Sequence, residues 1–163
     1  MTDDEYYQFC MSNPDVRIER AADGNILIIP RAGFESGHRN LELNRQLGNW
    51  ALEDGRGRAF NSSVEYILPN GAAYSPDASW VLRPDFVIEL MSPSDRLRKA
   101  KAKMQDWIVN GVQLGWLLDP DHRTAYIYRP GCKPEQVVNP ERLIGEGLVA
   151  GFVLELAKVW AGL

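Results

Sequence analysis

Two acids, Asp77 and Glu89, stand twelve residues apart in the stretch Ser75 to Met91, which otherwise has the pattern of buried β-strand. From Asp85 the chain alternates: Asp85, Val87, Glu89 and Met91 fall on one face, Phe86, Ile88 and Leu90 on the other. Asp77, Ser79 and Val81 form the matching set before them. A connection of Leu82, Arg83 and Pro84 makes a hairpin in which Val81 faces Asp85 and, counting outward, Asp77 faces Glu89 on the same side of the sheet. Their Cβ atoms then lie about 5 Å apart. A slip of one residue would send them to opposite faces, so the pairing depends on register. Like charges directly opposed destabilise a sheet, and a buried carboxylate is costly unless paired, whereas a divalent cation between the two reverses the sign. Two readings stay open from these residues alone: a metal site, or a structural pair in which Glu89 bridges to a helix lysine. Asp85 is a weaker candidate, because four residues of strand place it roughly 13 Å from Glu89.

Around this hairpin the periodicities predict the other elements. Asp3 to Met11 suits a short helix, and Arg17 to Arg20 with Asn25 to Ile29 flank the turn signal Asp23-Gly24 as an N-terminal β-hairpin. Leu43, Leu47, Trp50 and Ala51 recur at helical spacing over Gly37 to Leu52, preceded by Ser36 and closed by Gly55. Val64 to Leu68, Ala73 to Val81 and Asp85 to Met91 read as a three-strand antiparallel meander. Pro93 ends it, Ser94 or Asp95 can cap, and Leu97, Ala100, Met104, Trp107 and Ile108 line one face of a second long helix. Leu114 to Leu118 and Thr124 to Tyr128 are strands, and the tail from Leu148 to Leu163 is apolar enough to pack on the core. The expected class is α/β: a mixed sheet flanked by helices on both faces, in a single domain spanning residues 1–163.

A chain of 163 residues with 45% apolar content can bury a core without disulfides or structural metals. Cys10 and Cys132 have no metal-ligand spacing and fit a reducing compartment. No apolar run approaches a membrane span, so a cytoplasmic protein is expected. The net charge of −4 excludes a general attraction for nucleic acid, leaving a local basic cluster at Arg96, Arg98, Lys99, Lys101 and Lys103. Phosphate-cradling glycine loops and a nucleophile elbow around Ser36-Gly-His38 are both missing, and neither His38 nor His122 has a metal-ligand partner at sequence spacing.

The ordered set Pro14-Asp-Val-Arg-Ile-Glu19, Gly37-His-Arg-Asn-Leu-Glu42, Ser75-Pro-Asp77, Pro84-Asp-Phe-Val-Ile-Glu-Leu-Met-Ser-Pro-Ser-Asp95, Lys103-Met-Gln-Asp-Trp107, Gly115-Trp-Leu-Leu-Asp-Pro120 and Tyr126-Ile-Tyr-Arg-Pro130 resembles the Uma-type (Uma2, DUF820) restriction endonuclease family. That family is a branch of the PD-(D/E)xK nucleases. The resemblance runs over nearly the whole chain and implies the restriction-endonuclease-like core order αβββαβ. It also implies Mg²⁺- or Mn²⁺-dependent hydrolysis of phosphodiester bonds in DNA, with Asp77 and Glu89 as metal-binding acids. The motif lysine is absent two residues after Glu89, where Met91 stands, and the matching position is Lys103 on the following helix. Lys103 and Lys101 lie at opposite borders of that helix's apolar face and are rivals for the role. Glu42 is a candidate further ligand, and Arg96, Lys99 and Lys101 are candidate contacts to backbone phosphates. The chain departs from the resemblance at Met91 and in its short connection after Val81. Both departures favour the alternative of a catalytically inactive nuclease fold that binds nucleic acid or protein. A homodimer through a surface at Trp160 is a further expectation.

Overall fold

The computed structural model describes residues 1–81 and 84–161. The turn expected over Leu82 to Pro84 lies, but for the backbone of Pro84, outside the described residues. Helix α1 (Asp3–Met11) begins at a capping box, in which Glu5 N–H donates to Thr2 Oγ1 (3.2 Å) and Thr2 N–H to Glu5 Oε2 (2.7 Å). Its Tyr6 packs on Ile18 and Ala73. Strands β1 (Arg17–Arg20) and β2 (Ile26–Ile29) form the expected hairpin, with Glu19 opposite Leu27. Helix α2 (Phe34–Asp54) starts earlier than expected and ends at Gly55, whose φ of 69° is the left-handed conformation that closes a helix.

The meander expected over Val64 to Val81 is instead divided between two sheets. Strands β4 (Tyr66–Ile67) and β5 (Ala73–Tyr74) join the N-terminal hairpin in a four-stranded sheet of order β2-β1-β5-β4. Strand β6 (Ala78–Val81) then enters a second sheet. The break falls at Ser75-Pro76-Asp77. Pro76 has no N–H to give to a ladder, which suits it to the crossing point between sheets. A strand not anticipated from the sequence, β3 (Arg58–Asn61), takes the edge beside β6.

The second sheet has six strands in the order β10-β9-β8-β7-β6-β3, formed with β7 (Pro84–Leu90), β8 (Leu114–Asp119), β9 (Thr124–Tyr128) and β10 (Glu135–Val138). Neighbours are antiparallel except β7 and β8, which run parallel and are joined through helix α3 (Leu97–Val109). A parallel pair needs such a crossover. Along α2-β3-β6-β7-α3-β8 the second sheet keeps the expected αβββαβ order, and β4 and β5 form an excursion within it.

Strand β7 lies inside the sheet, and a helix covers each of its faces. Phe86 and Ile88 pack with Leu43 and Leu47 of α2, and Val87 packs with Met104 and Trp107 of α3. Gly115 of β8 admits α3 closely, since a Cβ there would overlap the end of Met104. The hairpin β11 (Arg142–Ile144) and β12 (Val153–Glu155) and the short helix α4 (Ala157–Ala161) complete the α2 side. Trp160 is buried there, with its indole N–H donating to the Pro140 carbonyl at 2.9 Å. An exposed surface at Trp160 is therefore not present: the apolar tail folds its own tryptophan into the core. Among the described residues no helix is long and apolar enough to cross a membrane.

Candidate active site

The pairs Ala78–Ile88, Ser79–Val87 and Trp80–Phe86 set the β6–β7 register. Carried one step outward, that register puts Asp77 opposite Glu89, as the alternation predicts. At the other end an irregularity at Trp80 and Val81 replaces the expected Val81–Asp85 pair with Val81–Pro84. It lies on the turn side and leaves the acid end in register.

Glu89 faces α3. Trp107 Nε1–H donates to its Oε1 at 2.9 Å, and Lys103 Nζ lies 3.1 Å from Oε1 and 3.3 Å from Oε2. Lys103 and Trp107 are four residues apart, one above the other on the same helical face, so one carboxylate meets both. The same ammonium reaches Glu19 of β1, 3.0 Å from each of its oxygens. Glu19 is 1% exposed and also accepts the N–H of Ser75 at 3.1 Å, two residues before Asp77. Asp77 is held from two sides: Asn40 of α2 donates to Oδ1 at 2.7 Å, and the Leu90 N–H to Oδ2 at 2.9 Å. Asn44, one turn beyond Asn40, donates to the Asp77 carbonyl at 3.0 Å.

The site therefore gathers Glu89 and Glu19 on one ammonium, with Asp77 near enough to feel its charge. Arg17 stands beside them, 3.5 Å from Glu19 and donating to the Ser75 carbonyl at 2.7 Å. Side-chain exposure is only 12% for Glu89 and 18% for Lys103. Burial pushes the Glu89 carboxyl up to about 7; Lys103 opposes the rise, while Asp77 and Glu19 add to it. Burial also raises Asp77 above the ordinary aspartate range, against the Leu90 N–H, Lys103, Arg17 and Asn40. For Lys103 burial favours the neutral amine, but Glu89 and Glu19 outweigh it and the pKa ends above the usual lysine value. For Asp77 and Glu89 the cost of burial thus exceeds what the facing cations return.

The two rival lysines are separated by this geometry. Lys103 reaches the acids, whereas Lys101 places its ammonium 4.0 Å from the centre of the Tyr126 ring. Arg96 and Lys99 are exposed at the start of α3, and Asp95 closes a turn by accepting from Ser92 instead of capping the helix. Glu42 is not brought to the cluster. Two residues from Asn40 is more than half a turn of helix, and its carboxylate is bound by Arg45 (2.6 Å) and Gln46 (3.0 Å). Among the described residues no group of three or more His, Cys, Asp or Glu side chains is arranged as a metal cage. Glu19 was not singled out from the sequence. The signal was available: an acid beside Ile18 in a short hairpin strand is the same anomaly that marks Asp77 and Glu89.

None of the curated proteins matches this chain. A crystal structure described as a "putative nuclease belonging to DUF820" from Anabaena variabilis is similar over 88% of this chain and 89% of its own, with a TM-score of 0.77 and 21% identity. At that identity the likeness establishes the fold. The profile of the Uma2 family, described as "putative restriction endonuclease", matches residues 3–157, nearly the full length. With that coverage, the chain belongs to the Uma2 family.

Proposed function

We propose that this protein is a divalent-metal-dependent endonuclease that hydrolyses phosphodiester bonds in DNA, with Asp77 and Glu89 holding Mg²⁺ or Mn²⁺. The observation that carries the proposal is the part-buried pair Asp77 and Glu89, opposed across β6 and β7 and closed on one side by Lys103. The donor set fits the ion. Hard carboxylate oxygens suit Mg²⁺, and two protein acids without a cage suit an ion that keeps several waters and takes substrate phosphate. A divalent ion there supplies charge neutralisation at the phosphodiester.

This chain's own residues do the rest by placement. Asn40 and the Leu90 N–H fix both oxygens of Asp77, and Trp107 orients Glu89. Lys103 donates to Glu19 and Glu89 and sets its positive charge beside both acids. Its fixed charge then favours the extra negative charge that develops in phosphodiester hydrolysis. Arg96 and Lys99, exposed at the start of α3, and Lys101 farther along it meet backbone phosphates, a contact that adds affinity without sequence information.

The test uses an end-labelled duplex with Mg²⁺ or Mn²⁺. Cleavage is expected from the parent and lost in Asp77→Asn and Glu89→Gln, and Mn²⁺ should raise the melting temperature of the parent but not of Asp77→Asn. A parent that neither cleaves nor gains stability would be an idle nuclease fold and would overturn the proposal.

A further inference from the structure

Glu19 joins parts of the chain that the strand-and-helix core leaves separate. Its carboxylate accepts the Ser75 N–H on the segment that delivers Asp77 and holds the Lys103 ammonium of α3 through both oxygens. It comes from β1, in the four-stranded sheet, whereas Glu89 comes from β7 in the six-stranded one. The two sheets therefore meet at Lys103. We infer that Glu19 is a positioning residue: it fixes the Lys103 ammonium against Glu89 and ties that ammonium to the Ser75–Asp77 segment, making the N-terminal hairpin one wall of the active site.

Three features support this over a merely structural ion pair. Lysine has a flexible stem with four methylenes, and an ammonium bridging two acids on different sheets loses most of that freedom. Glu19 is itself anchored by a backbone N–H, so it offers a fixed acceptor. The Tyr74 ring lies 5.1 Å from Nζ and is held by its hydroxyl donating to Asp106 at 2.9 Å, a further fixed neighbour of the ammonium. The catalytic part of the inference rests on the nuclease reading above, whereas the hold on Lys103 does not.

Two substitutions separate charge from anchoring. Glu19→Gln keeps the side-chain length and an oxygen for Ser75 N–H but gives up the charge that holds Lys103. Glu19→Asp keeps the charge on a shorter arm. Cleavage of the labelled duplex should fall about 100-fold in kcat for Glu19→Gln, the scale of a small misplacement, with KM unchanged and Mn²⁺ stabilisation retained. Glu19→Asp should recover part of the rate. Limited reductive methylation, read by peptide mass spectrometry, should label Lys103 more slowly than Lys99 in the parent and several-fold faster in Glu19→Gln, with Lys99 unchanged. A Glu19→Gln protein that cleaves at the parent rate overturns the catalytic role, and unchanged Lys103 labelling overturns the hold. Equal or greater loss in Glu19→Asp assigns Glu19 to anchoring alone and also overturns it. If the parent cleaves no duplex with either ion, the nuclease reading fails together with the catalytic role, and the labelling decides the Glu19–Lys103 contact by itself.

Discussion

Replacing Glu89 by glutamine in metal-free buffer should remove a pH-dependent weakness from the fold. Glutamine imitates the protonated acid in shape and keeps an oxygen for Trp107. In the native protein the Glu89 carboxyl is raised from 4.5 to about 7, chiefly by burial. The folded state thus holds this proton more tightly than the unfolded chain does. Glu89 costs nothing while both states are protonated, begins to destabilise as pH rises through 4.5, and reaches its full cost above 7. Such a displacement corresponds to about 3 kcal/mol. For a chain of this size that is roughly 6–12 °C in melting temperature. The assay is urea denaturation of parent and Glu89→Gln at intervals from pH 4 to pH 8.5 with a chelator present. The difference between the two proteins cancels the other titrating groups. It should grow in favour of the variant from pH 4.5 to 7 and then level off. A difference independent of pH, or one in which the variant loses ground as pH rises, would refute the claim that burial outweighs the Lys103 ion pair.

Other consequences can be measured in the same way. Lys103→Met leaves Glu19 and Glu89 without their shared cation and should cost about 3–5 kcal/mol at pH 8, less at pH 5 where Glu89 takes up a proton; equal loss at both would count against it. Trp107→Phe removes the N–H that favours the charged Glu89, so it should cost about 1–3 kcal/mol at pH 8 and move the Glu89 transition to higher pH. Gly145→Ala brings a methyl onto the Val149 carbonyl and should destabilise by about 1–3 kcal/mol, whereas an unchanged urea midpoint would show that the β11–β12 region relaxes around it. Lys101→Ala gives up the contact over Tyr126 and should leave the stability difference between pH 5 and pH 8 unaltered, since Lys101 does not face the acids.

Much of the fold was legible because local periodicity reports which side of an element faces inward. The alternation from Asp85 to Met91 gave the faces of β7, and its register followed from counting back to Asp77. The heptad-like spacing in α2 and α3 likewise marked their buried sides. Short edge strands gave no such signal. Arg58–Asn61 is four residues with only partial burial, too brief for alternation to stand out, and it became a strand because β6 offered it a free edge. The splitting of Ala73 to Val81 was hidden for a different reason. Its alternation continues through Pro76, and only the presence of two sheets shows that the residues on either side pair with different partners.

The site divides along the same line. By itself the sequence determined that Asp77 and Glu89 share a face if the hairpin keeps the counted register, that Lys103 and Lys101 flank the apolar stripe of α3, and that unpaired acids there would need a cation. Only the tertiary structure decided which lysine meets them and that Glu19, 84 residues from Lys103, completes the cluster. Side-chain direction along a strand or helix is a local property, set by the backbone repeat. Proximity between segments far apart in the chain is settled by how sheets and helices pack, and no periodicity records it.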